Sequence, residues 1–185
     1  MLKKGLLLTL LAVGALNAED ESVRGTTLVG VEVGYVGSKY DVLGSGGRED
    51  ETVGSAELGL KVGGEKGDFR FFLDGHIWHD DTYETAGTVG AAFQYLFRPS
   101  APFSIFLGGN VGVTGSSEEN GVYPYYGADL GVTVPIDKKI EIEVGGRYCD
   151  VFEGDDDYAL KEFYEGYVSV IFRFESNDED IIFTR

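Results

Sequence analysis

The sequence predicts an all-β fold, an eight-stranded antiparallel up-and-down transmembrane β-barrel preceded by a cleaved signal peptide. Three observations predict it. Period-two alternation returns about eight times between turn-rich segments, and no window keeps a helical period. One face of these segments is free of charge, while the other combines many glycines with acids and bases of both signs. The composition, 28 glycines, 12 phenylalanines and 11 tyrosines against 4 prolines, suits strands joined by turns.

The N-terminus carries the targeting information. Lys3 and Lys4 precede an apolar run from Gly5 to Leu16, with small residues at Ala15 and Ala18, which is the pattern of a secretory signal peptide. The run falls short of the ~20 residues a helix needs to cross a bilayer. Cutting after Ala18 leaves Leu16 at the third position before the cut, and cutting after Ala15 leaves Val13 there, so both sites stay open with Glu19 the expected first mature residue. The expected organisation is a signal peptide over 1–18, a barrel over 19–174 and an acidic tail over 175–185. Losing residues 1–18 removes two lysines and no acid, which carries the formal charge from −17 to −19. So acidic a chain excludes nucleic acid as a partner, because a phosphate-binding surface must be basic. Cys149 is the only cysteine, so this exported chain is held together by burial and backbone pairing with no internal disulfide.

The predicted strands run approximately over Leu28 to Val36, Thr52 to Val62, Asp68 to Trp78, Thr85 to Phe97, Phe103 to Thr114, Val122 to Val134, Lys139 to Cys149 and Phe163 to Phe174. Segments of about 9 to 13 residues are long enough to cross the hydrocarbon when tilted. Short turns at Gly63 to Gly67, Arg98 to Pro102 and Pro135 to Lys138 alternate with longer or more acidic connections at Gly37 to Glu51, His79 to Glu84, Gly115 to Gly121 and Asp150 to Glu162. That alternation is expected of a chain that threads a membrane and elaborates its loops on one side, here the outside.

Alternation alone does not separate a membrane barrel from a soluble sandwich, and the polar face decides. A solvated face favours long or β-branched side chains, yet these faces carry Gly30, Gly34, Gly59, Gly90, Gly108, Gly112, Gly127, Gly131 and Gly145. Small residues suit the inside of a narrow cylinder, where opposite walls compete for one volume. Facing inward with them are the candidate site residues, a lumen charge network of Glu32, Glu57, Asp74, Asp129, Glu141 and Glu143 against Lys61, Arg70, Arg147 and Arg173. Burial forces such groups to pair, and heights along the strands allow Arg70 near Glu141 or Glu143 and Arg147 near Asp129 or Glu32, with register and pairing left open. The opposite faces, such as Val29, Val31 and Val33 or Val168, Val170 and Phe172, carry no charge, as lipid requires. Aromatic residues gather at strand ends, Phe69, Phe97, Phe103 and Phe174 toward the short turns and Tyr35, Tyr126, Tyr148 and Tyr164 toward the loops.

On these features the chain after the signal peptide resembles the small OmpA/OmpX-type outer-membrane barrels (the outer membrane protein beta-barrel domain family). The resemblance implies residence in the cell outer membrane and recognition of a last strand by the barrel-insertion machinery. Tyr164, Gly166, Val168, Val170, Phe172 and Phe174 look like that strand. The chain departs from the family by running on from Glu175 to Arg185, either as a periplasmic extension or as a segment holding the end signal at Ile181, Ile182 and Phe183.

The remaining chemistry-bearing residues point to no catalytic, cofactor or metal site. His76 and His79 are three apart on a strand and so face opposite sides. Similarly sized lipid A deacylases use a close His and Ser, and no His-x-Ser occurs here. Glu153 to Asp157 lacks the alternating ligand spacing of a calcium loop, and Gly44, Gly46 and Gly47 open no helix. Cys149 reads as a small, inert lumen side chain. The expected function is a structural or surface-interaction barrel with its lumen plugged by paired charges; the alternatives are a narrow porin-like channel and a lipid-modifying enzyme. The outer acids, among them Glu49, Asp50, Glu51, Asp80, Asp81, Glu118, Glu119 and Asp155 to Asp157, face a phosphate-rich surface. Outer-membrane lipid and lipopolysaccharide, bridged by divalent cations, are therefore the expected partners; the sequence names no external protein ligand.

Overall fold

The computed structural model describes residues 25–44, 47–80, 84–98, 102–116, 121–152 and 158–175. The signal peptide at 1–18, the tail beyond Glu175 and the acids at Asp81, Glu118, Glu119 and Asp155 to Asp157 lie outside the described residues. Eight strands follow in order: β1 (Thr26–Gly44), β2 (Gly47–Lys66), β3 (Phe69–Asp80), β4 (Glu84–Phe97), β5 (Ser104–Ser116), β6 (Tyr123–Pro135), β7 (Ile140–Val151) and β8 (Tyr158–Glu175). Each pairs antiparallel with the next, and β1 pairs with β8, so the sheet closes on itself and leaves no free edge within the cylinder.

Turn chemistry sets one rim. Between β2 and β3 the chain reverses through Gly67 and Asp68; Gly67 has φ of 63°, a left-handed conformation that glycine adopts without a Cβ clash. Between β6 and β7, Asp137 accepts hydrogen bonds from the backbone N–H groups of Lys139 and Ile140 at 2.6 and 2.8 Å, so its side chain takes up donors that the ladder does not use.

At the other rim the structure corrects the expected boundaries. Gly37 to Glu51, read as a loop, is instead a paired ribbon: β1 and β2 run in register from Thr26↔Glu65 to Gly44↔Gly47. β8 starts at Tyr158, inside the stretch read as an acidic loop, and pairs with β1 up to Val42↔Tyr158 across a bulge between Lys39 and Tyr40. Backbone pairing satisfies N–H and C=O groups whatever the side chains are, so an acidic segment without clean alternation still forms a ladder. The result is a three-stranded extension of β1, β2 and β8 standing above the cylinder, stitched by Lys39 to Asp50 (3.1 Å) and Glu162 (3.4 Å) and by Lys161 to Asp50 (3.2 Å).

Around the outside runs a belt of apolar side chains. Val33, Leu60 and Val89 are 55%, 63% and 66% exposed, and no charged residue lies in this belt between Phe69 or Phe97 at one rim and Tyr35 or Tyr164 at the other, among the described residues. A soluble protein does not expose an apolar band that encircles it; a transmembrane barrel requires one.

Candidate functional site

The lumen is the structure's concentration of chemistry, and period-two alternation places it. Residues of one parity on every strand point in, and glycines make room for the large ones. A Cβ at Gly59 would lie 2.6 Å from His76 Nδ1, and one at Gly145 would lie 2.6 Å from the Tyr167 ring. All ten predicted network residues are inside, nine fully buried and Arg173 partly so at the rim.

Toward the short turns, Arg70 donates from Nε to Glu65 (2.7 Å) and from Nη2 to Glu141 (2.8 Å), with Glu143 at 3.5 Å. Arg173 reaches both Glu65 and Glu141 at 3.0 Å from one nitrogen, and Arg98 adds a bond to Glu65 at 2.9 Å. In the next layer Lys61 Nζ donates to Glu143 (2.7 Å) and Glu32 (3.0 Å), between the rings of Phe72 and Tyr167 at 5.3 and 5.2 Å. Ser169 donates to Glu32 at 2.6 Å, and Tyr167 donates to Glu143 at 3.3 Å.

Higher still, Arg147 Nη1 donates to Glu165 (2.9 Å) and to His76 Nε2 (3.1 Å). An arginine N–H can only donate, so Nε2 accepts and His76 presents its Nδ1 proton to Glu57 Oε1 at 2.8 Å. Arg147 stands 3.8 Å from Glu32 and is not bonded to Asp129, although Asp129 and Arg147 are register partners; Gln94 donates to Asp129 at 2.9 Å instead. Cys149 is buried and donates to Asn110 Oδ1 at 3.1 Å. Above these polar layers Trp78, Tyr125 and Phe163 pack ring on ring within an apolar cluster with Val36, Val151 and Leu160. His79 faces outward, 3.3 Å from the Thr85 hydroxyl.

No family model matches the chain, and no curated protein matches its sequence. Solved structures do match. Neisserial surface protein A aligns over 79% of this chain and 97% of its own with a TM-score of 0.61 at 16% identity. The fold is that of the small OmpA/OmpX-type outer-membrane barrels. The outer membrane protein OprG and the N-terminal barrel of OprF, both from Pseudomonas aeruginosa, align at TM-scores of 0.49 and 0.48 with 12% and 14% identity, covering 84% and 78% of this chain and 98% and 97% of theirs.

Within this barrel, sequence reasoning missed two acids that organise the network. Glu65 lay in a segment read as turn, but β2 runs on to Lys66 and turns Glu65 inward. Glu165 was legible: the predicted outward series Tyr164, Gly166, Val168 leaves it on the inner face by parity. The inward apolar residues, Phe72, Trp78, Leu96, Phe106 and Phe163, were legible by the same rule, so the lumen is part apolar and not a purely polar column.

Proposed function

We propose that this chain is a closed outer-membrane barrel, not an enzyme, whose lumen network acts as a plug and whose work is done at its surface. The observation that carries this reading is the filling of the cylinder: the Arg70, Lys61 and Arg147 layers lie one above another under the Trp78, Tyr125 and Phe163 cluster. An eight-stranded barrel has an interior just wide enough for side chains to fill, and here they meet across it. The belt and the likeness to Neisserial surface protein A support residence in the outer membrane. The extension of β1, β2 and β8 is the surface platform. Its acids, bridged by divalent cations to lipopolysaccharide phosphate, tie it to the membrane face, and the last strand is the element handed to the insertion machinery.

Planar-bilayer conductance of the refolded protein tests the plug. The expected trace shows only small, intermittent openings. A stable, wide channel would replace this reading with the narrow porin-like one.

A further inference from the structure

The lumen charge does not balance among the buried residues. Buried carboxylates outnumber buried lysines and arginines by more than two to one. The cations are also unevenly placed: Arg70, Arg98 and Arg173 crowd onto Glu65 and Glu141, and Lys61 is divided between Glu143 and Glu32. One level higher, Arg147 serves Glu165 and stands 3.8 Å from Glu32, while Glu57 has His76 and Asp74 comes no nearer than 3.8 Å to His76 Nε2. Carboxylates shut away from water need compensation, so positive charge must enter this layer as protons or as a bound cation.

The geometry favours a cation. Glu32 from β1, Glu57 from β2, His76 from β3 and Glu165 from β8 each bring one donor atom into a group whose members all lie within 4.8 Å of one another. All four residues are buried, and each of the three acids has one oxygen, Glu32 Oε1, Glu57 Oε2 and Glu165 Oε1, that is sealed from solvent and accepts no hydrogen bond. Their other oxygens are braced: Glu32 Oε2 by Ser169 and Lys61, Glu165 Oε2 by Arg147 and Glu57 Oε1 by His76. We propose that Glu32, Glu57, His76 and Glu165 form a buried binding site for one zinc ion.

Donor type and charge both fit. One imidazole nitrogen with carboxylate oxygens is a zinc ligand set, and four protein donors complete a tetrahedral structural site. Ligand bonds of about 2.0–2.2 Å place tetrahedral donors about 3.4 Å apart, so side-chain rotations must draw these donors together from a spacing of up to 4.8 Å. Zinc with Arg147 offsets the three glutamates, while Lys61 remains matched by Glu143. Coordination through His76 Nδ1 moves the proton now shared with Glu57 onto Nε2, which gives up the hydrogen bond it accepts from Arg147 and directs its N–H toward Asp74 Oδ1, 3.8 Å away and itself without a hydrogen bond. The ion links four strands across the seam between β1 and β8, where the cylinder closes.

The inference is separate from the plug reading: an open lumen would still hold these four donors, so conductance and metal retention fail independently. The full chain is refolded in detergent after chelation, dialysed against Zn²⁺, Mn²⁺, Mg²⁺ or Ca²⁺ and washed with a weak chelator. Retained metal is then measured by mass spectrometry. The folded wild type should keep one zinc per chain; Glu57→Gln and His76→Gln should lower zinc affinity at least about tenfold, while Asp68→Asn at the short-turn rim leaves it unchanged. X-ray absorption on zinc-loaded wild type should show nitrogen and oxygen ligands with imidazole scattering, a readout that needs no variant to fold. Failure of the folded wild type to retain zinc, retention of Mg²⁺ or Ca²⁺ in its place, absence of the imidazole signature, or unchanged affinity in the folded variants would each overturn the site.

Discussion

Arg147 shows what a single side chain does in this lumen. Its guanidinium joins β7 to β8 through Glu165 and to β3 through His76, and lies 5.3 Å from the Tyr167 ring. Truncating it leaves Glu165 buried without a lysine or arginine partner among the described residues, and breaking one side of a buried pair costs about 3 to 5 kcal/mol. Arg147→Ala should therefore lower the unfolding free energy by that amount in denaturant titrations of the detergent-refolded barrel. An unchanged midpoint would remove the network from the stability of the fold. Heights along the strands offer Arg147 two partners, Asp129 and Glu32. Height is legible in sequence, but the direction a long side chain takes across the lumen depends on which neighbours already fill it. Gln94 holds Asp129, and Ser169 with Lys61 holds Glu32 Oε2, so Arg147 pairs with Glu32 only at 3.8 Å and gives its hydrogen bond to Glu165.

Among the elements, the extension of β1, β2 and β8 is the one whose stability answers to external conditions. It stands beyond the aromatic rim marked by Tyr35 and Tyr164, and ion pairs from Lys39 and Lys161 cross it beside the buried apolar packing of Tyr40 and Leu160. Hydrogen bonds from Lys39 and then Lys161 hold the Asp50 carboxyl below its ordinary range, and the Glu162 carboxyl is lowered chiefly by the hydrogen bond from Tyr148. A carboxyl lowered on folding adds stability that is fully present above its ordinary pKa, 3.8 for Asp50, and is lost as pH falls through the lower folded value. Amide protection factors in the extension should thus decline below the ordinary Asp range while those of the membrane belt hold. High salt at neutral pH should weaken the extension in the same way, since exposed pairs are screened. Equal protection in both parts at every pH would show that the ladder hydrogen bonds and apolar packing hold it without the ion pairs.

At the scale of the whole molecule, closure makes the cylinder slow to open, because every strand is hydrogen-bonded on both sides. Unheated and boiled samples should migrate differently in SDS gels. Identical mobility, with helical or unordered circular dichroism in detergent, would contradict a closed barrel. Orientation follows from the rims: a tag placed between Gly44 and Gly47 should be labelled on intact cells, and one at Gly67 and Asp68 should not. The reverse result would invert the assignment of outside and inside.

The sequence by itself determined the class of fold, the number of strands, their approximate places and the face on which each residue lies, because all of these rest on local period-two alternation and on the difference between lipid and lumen. Phe71 facing out and Arg70 facing in need no tertiary knowledge. Glu165 was equally legible by parity, and Glu65 was hidden only because a glycine-flanked acid reads as turn. Register, closure and cross-lumen contacts were decided only by the tertiary structure. Pairing Gly44 with Gly47 depends on backbone bonds that ignore side-chain pattern, and bringing Glu32, Glu57, His76 and Glu165 together depends on joining the first strand to the last. These contacts span up to 137 positions between Ser169 and Glu32, a separation at which local sequence preference carries no information and only the closed geometry of the sheet sets distance.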